Sequence, residues 1–139
     1  MARIRYATVL AALLLGGTNC LAQQTSGKAT DAREILVGMW EGNSICVDRS
    51  SPCHDEINVY RFARIAGKPN AFLVTASKVV DGKEVVMGSG EWKYDESSKS
   101  VECAEPRIRL TIMRENWMEG VLTLENGREY RKIRLKKAG

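Results

Sequence analysis

The chain has 139 residues, with 21 Lys and Arg against 17 Asp and Glu, a formal net charge of +4. That length holds one ordinary domain with a single core. The modest charge, with its signs interspersed, leaves no electrostatic footprint for nucleic acid, which is not an expected partner.

In chain order, residues 1–22 read as a secretory signal peptide. Arg3 and Arg5 make a basic start, Ala7 to Gly17 is an uncharged and mostly apolar run, and Cys20-Leu21-Ala22 supplies a small-residue exit. The apolar run is shorter than the ~20 residues a spanning helix needs, and no second run follows, so no membrane contact is expected after cleavage. Cleavage after Ala22 leaves 117 residues with 19 basic against 17 acidic, a net +2. The expected location is secreted or periplasmic. Residues 23–30 are polar and read as a flexible tail.

Residues 31–139 read as one all-β domain. Asp31 with Glu34 three residues on is a capping-box signal for one helical turn before Ile35 and Leu36. No sustained helical periodicity follows. The spacing predicts eight strands: Val37–Val47, Glu56–Ile65, Ala71–Val80, Lys83–Tyr94, Ser100–Ala104, Arg107–Met113, Gly120–Glu125 and Arg128–Lys136. Asp81-Gly82 and Asn126-Gly127 each predict a two-residue hairpin. Loops this short exclude crossover helices, so neighbours pair antiparallel. An even number of strands in a simple meander suits an eight-stranded up-and-down barrel, whose closure removes exposed edges. A two-sheet sandwich is the alternative. Gly42, Gly88 and Gly90 fall inside strands, where they suit bends and bulges.

Cys20 leaves with the leader, so Cys46, Cys53 and Cys103 remain. A disulfide between Cys46 and Cys53 is expected, with Cys103 reduced; a bridge through Cys103 would close a longer loop. The three thiols with His54 also compose a Cys₃His zinc set, but no Cys-x₂-Cys knuckle is present and export favours oxidation. No metal or cofactor is therefore expected. No catalytic residue is assigned either. His54 and Cys53 are adjacent and point apart on an extended segment, and Glu41, Glu91, Glu102 and Asp55 offer no specific acid–base pairing. Trp92 and Tyr94 share a strand face with Gly88 and Gly90 and are candidate pocket-lining residues. Arg128, Arg131, Lys132, Arg134, Lys136 and Lys137 alternate with apolar residues, as on a solvated strand face.

Gly38-Met39-Trp40 at the start of the first strand, after a helical turn, resembles the calycin pattern of lipocalins and avidin-like proteins. That resemblance implies a barrel closed at one end by Trp40, with a basic residue of the last strand across its ring. Arg131 and Arg134 are the candidates, and Arg131 is favoured because it shares its parity with Ile133 and Leu135. The stretches Trp40-Glu41-Gly42, Ser51 to Glu56, Asp81-Gly82-Lys83 and Tyr130 to Ile133 also resemble small secreted bacterial proteins of unassigned function. Together these point to a non-enzymatic module that binds a small apolar ligand in the barrel. The alternative is a protein partner, as for a periplasmic inhibitor of a protease or lysozyme, since small disulfide-containing barrels serve that role.

Overall fold

The computed structural model describes residues 30–139. The leader and all of the tail but Thr30 lie outside the described residues. Asp31 caps α1 (Ala32–Leu36), accepting from the Arg33 amide at 2.9 Å. Glu34 does not complete the box; it forms an ion pair with Arg64 instead.

Eight strands follow: β1 (Gly38–Cys46), β2 (Glu56–Ile65), β3 (Lys68–Val80), β4 (Lys83–Asp95), β5 (Ser100–Cys103), β6 (Arg107–Arg114), β7 (Trp117–Thr123) and β8 (Glu129–Lys137). Each pairs antiparallel with the next, and β1 pairs with β8 from Trp40↔Lys137 to Cys46↔Arg131. The sheet is therefore a closed up-and-down barrel, and the sandwich alternative falls.

Turn chemistry explains where the strands differ from expectation. Asp81 and Gly82 both have positive φ, as the predicted tight hairpin requires. The β2–β3 connection is only Ala66-Gly67, so Lys68, Pro69 and Asn70 belong to β3. Pro69 sits beside the register shift at Arg64/Ile65, where a missing N–H is tolerated. Glu115-Asn116 connects β6 directly to β7, which begins at Trp117 rather than Gly120. Asn126-Gly127 is not a two-residue hairpin. The Gly127 amide donates to the Leu124 carbonyl at 2.9 Å and Gly127 alone of this loop takes positive φ, giving a longer connection over residues 124–128.

The inward residues form one core cluster. Leu36, Trp40, Phe72, Tyr94, Leu110, Met118 and Leu135 fill the end beneath α1. Within the cluster Trp92 meets Tyr60 and Phe62 edge-on, 5.8 Å and 6.1 Å away between ring centroids, while Tyr60 and Phe62 stack on each other at 6.5 Å. The Trp40 indole is fully buried and donates to the Leu36 carbonyl at 2.9 Å.

Arg131 does not close this end. Lys137 lies 5.5 Å from the Trp40 ring centroid and donates to the Ile35 carbonyl at 2.6 Å. Both residues share the inward parity of Ile133 and Leu135. The β1–β8 register places Lys137 opposite Trp40 and Arg131 opposite Cys46, roughly 20 Å along the strand. The basic cluster of β8 is thus split. Lys132, Arg134 and Lys136 face solvent, while Arg131 and Lys137 point inward at opposite ends.

Candidate functional site

At the end away from α1 the core stops short, leaving a cavity of about 450 Å³. Val74, Ala76, Trp92, Ile108, Leu122 and Ile133 form its apolar wall, with Tyr60 beside them. Gly88 and Gly90, paired with Ala76 and Val74, continue that wall, and a Cβ built on either meets nothing within 4 Å. The space exists because two inward positions of β4 hold no side chain. Met87 is the extra residue of a bulge, since Ala76 faces Gly88 while Ser77 faces Val86.

The cavity lies against a break in the pairing. β5 meets β4 only through Lys93, Tyr94 and Asp95, so residues 83–92 of β4 pair with β3 alone. Cys103, Glu105 and Pro106 face that free edge across the cavity. Val85, Val86 and Met87 on it are exposed, Val86 by 63%.

Polar groups gather at the mouth. Arg131, only 11% exposed in its side chain, lies 3.6 Å from the Glu56 carboxylate, and Lys78 reaches the same oxygen at 3.6 Å. Arg131 also donates to the Ser44 carbonyl at 3.3 Å and stands over Tyr130. Burial raises the Tyr60 hydroxyl well above its ordinary pKa; the charge of Glu56 adds to this and that of Arg131 opposes it. The group stays a neutral donor at physiological pH.

Trp92 is among the residues lining the cavity, and Tyr94 is not. Two residues further along β4, it packs edge-on against Phe72 at 6.3 Å and faces a separate recess beneath α1 with Asp31, Ala32 and Ile35. Arg131, expected at the closed end, is instead the main cation of the mouth. Glu91 and Glu102 pair on the outer surface with Lys68 and Arg109, and Glu41 is exposed. His54 is exposed outside the cavity. None of these converges as an acid–base pair. The sequence contained one signal for this site, Gly88 and Gly90 on the strand face that carries Trp92.

Cys46 and Cys53 form a disulfide, their Cα atoms 6.0 Å apart, which takes two sulfurs out of the Cys₃His set. Cys103 is free. Asp55 braces the closed loop, accepting from the Cys46 amide at 2.9 Å and from Arg49. The Cys46 amide, then Arg49, hold its carboxyl below the ordinary 3.8. A carboxyl lowered in the folded state contributes stability that is full above its unfolded pKa and is lost as pH falls through the folded one. Hydrogen exchange at the Cys46 amide should therefore stay slow at neutral pH and accelerate below about pH 4 beyond the intrinsic trend. The Asp55→Asn protein should lack that acid-side step; an unchanged profile would show that Asp55 does not hold the loop.

No family model matches the sequence, and no curated protein matches it either. Solved structures do resemble it. A redesigned β-barrel superposes with a TM-score of 0.57 at 15% identity, over 80% of this chain and 98% of that one. The siderocalin Ex-FABP, described as functioning through dual ligand specificities, superposes at 0.54 with 10% identity, over 76% of this chain and 74% of its own. The fold is that of a closed eight-stranded antiparallel β-barrel. At these identities the likeness is one of fold. In this barrel, Trp40 and α1 fill one end and the cavity occupies the other. Among the described residues no helix is long and apolar enough to cross a membrane, and the disulfide suits an oxidising compartment.

Proposed function

We propose that the protein is a non-enzymatic binding module that holds a small, mainly apolar ligand in the open end of its barrel. The observation that carries this is the cavity of about 450 Å³, walled by Trp92, Val74, Ile108 and Ile133 and kept free by Gly88 and Gly90. A volume of ~300–1,000 Å³ with apolar walls and a few convergent polar groups is what small-molecule sites have in common. The siderocalin's dual ligand specificities support the reading by likeness of fold.

N-phenyl-1-naphthylamine, an uncharged probe that fluoresces when buried, should bind saturably to the mature protein. Gly90→Leu places a side chain in the cavity and should weaken binding at least about tenfold, a change of about 1.4 kcal/mol, with urea stability retained. Equal affinity in both proteins, or no saturable signal, would remove the cavity as the site.

A location outside the cytoplasm belongs to the same reading, supported by the leader over residues 1–22 and the disulfide. Peptide mapping of exported protein without reduction should find Cys46 linked to Cys53, a free thiol at Cys103 and a first peptide beginning at Gln23. A Cys103 linkage, or a chain still carrying Met1, would contradict the pairing or the processing respectively. The free edge of β4, with Val85, Val86 and Met87 exposed, favours a second reading, a protein partner that adds a strand there.

A further inference from the structure

We propose that the ligand enters and leaves the cavity sideways, through the slot between the free edge of β4 and the β5–β6 turn, and that the Met87 side chain gates this slot. This rests on the cavity being a ligand site. The lining residues divide by exposure. Met87, Gly88 and Ser89 of β4 are exposed although they line the cavity, and Glu105 and Pro106 of the turn are exposed as well. Residues that meet both the cavity and solvent mark where the cavity opens, and all five lie on the two lips of the slot.

The way in along the barrel axis is crossed by charged groups. Arg131 lies 3.6 Å from the Glu56 carboxylate, Lys78 reaches the same oxygen at 3.6 Å, and Arg131 donates to the Ser44 carbonyl at 3.3 Å. These contacts tie β8 to β1 and β2, and β2 to β3. Ser44 is buried, and Arg131 and Glu56 expose only 11% and 23% of their side chains. An apolar molecule arriving along the axis would have to part charges already withdrawn from water, which is costly.

The slot has no such closure. The β4–β5 ladder ends at Lys93, and among the described residues no backbone hydrogen bond joins residues 83–92 to the β5–β6 turn. Widening the slot therefore breaks no ladder bond, the kind of local opening that costs least. Met87 is the side chain placed to control it. As the extra residue of the bulge it has no cross-strand partner, and it is 48% exposed. Its unbranched side chain has three rotatable bonds, and the next residue, Gly88, has no side chain to hold it in place. Val85 and Val86 extend the same lip with apolar surface that suits a mainly apolar ligand.

The test is stopped-flow binding of N-phenyl-1-naphthylamine to the mature protein, with association and dissociation rates read separately. Met87→Trp, which enlarges the lip, should slow both rates about tenfold and leave Kd within about twofold, because a gate alters the barrier and neither end state. Met87→Ala should speed both rates, a gain that misfolding would not produce. A changed Kd with an unaltered association rate would make Met87 a wall of the site and overturns the proposal. Unaltered rates in both Met87 proteins overturn it too, and faster association in Arg131→Ala then assigns entry to the barrel axis. In both of those outcomes saturable binding keeps the cavity reading, whereas no saturable signal from the unsubstituted protein removes the cavity and the route together.

Discussion

Trp40→Ala is expected to destabilise the protein by about 3–5 kcal/mol, the cost of truncating a large buried aromatic whose site cannot collapse. Three separate contacts converge on this ring. It is fully buried in the core cluster with Leu36, Phe72 and Leu135. Its indole N–H satisfies the Leu36 carbonyl at the end of α1, and Lys137 lies across its face while donating to the Ile35 carbonyl. Removing the ring therefore leaves a cavity, frees a buried carbonyl and takes the aromatic face away from Lys137. Urea unfolding measures the loss. Lys137→Met should cost less, about 0.5–2 kcal/mol, since the cation contributes to the contact and not to the volume. A Trp40→Ala protein with a near-wild-type midpoint would show that α1 and the strands close this end without the ring.

Gly42→Ala and Gly90→Ala are expected to have opposite effects, although both put one methyl on an inward position of a strand. At Gly42 a Cβ would stand 1.9 Å from the Arg134 carbonyl oxygen and 2.9 Å from the Leu135 Cα. Both belong to β8, so the clash falls on the seam that closes the barrel. The backbone cannot yield without parting the β1–β8 ladder, and a loss of about 3 kcal/mol or more is expected, at the upper end of overpacking costs. At Gly90 the methyl meets nothing within 4 Å, and the backbone is not in the left-handed region. There alanine should be neutral or stabilise by up to about 1 kcal/mol, through the lower entropy of the unfolded chain. Thermal unfolding of the two proteins side by side is the check. Matching midpoints would contradict the separation of a packed seam from an empty wall.

The alternation of apolar and polar residues is enough to make the barrel legible in the amino-acid order. Period two assigns a face to each residue, and the sorting of Ile108, Leu110 and Ile112 from Arg107 and Arg109 holds in the folded protein. Asp81-Gly82 marks its turn because only a few residue types take positive φ at low cost. The Cys46–Cys53 pairing is accessible for a similar reason, since a short loop keeps its ends close whatever the rest of the fold does. Asn126-Gly127 misleads because a glycine at positive φ serves a two-residue hairpin and a longer, bulged loop equally well. Without the closed barrel, nothing local distinguishes them.

Arg131 marks the boundary between the two kinds of information. Its inward face is evident from its parity with Ile133 and Leu135, but its height in the barrel is not. Parity is a local property of one strand, whereas height depends on the register of β8 against β1, strands some 90 residues apart whose stagger is set by the shear of the whole barrel. That register gives the place over Trp40 to Lys137 rather than Arg131, and sets Arg131 beside Glu56, Tyr60 and Cys103. The same limit applies to Tyr94, which shares a face with Trp92 yet belongs to the filled end. The amino-acid order is sufficient for eight strands, their faces, the disulfide and the all-β class, because each follows from the properties of neighbouring residues. The cavity is different in kind. It is an absence of side chains, formed where Gly88 and Gly90 happen to face Tyr60, Cys103 and Arg131 across a closed sheet, and only the assembled barrel brings those positions to one level.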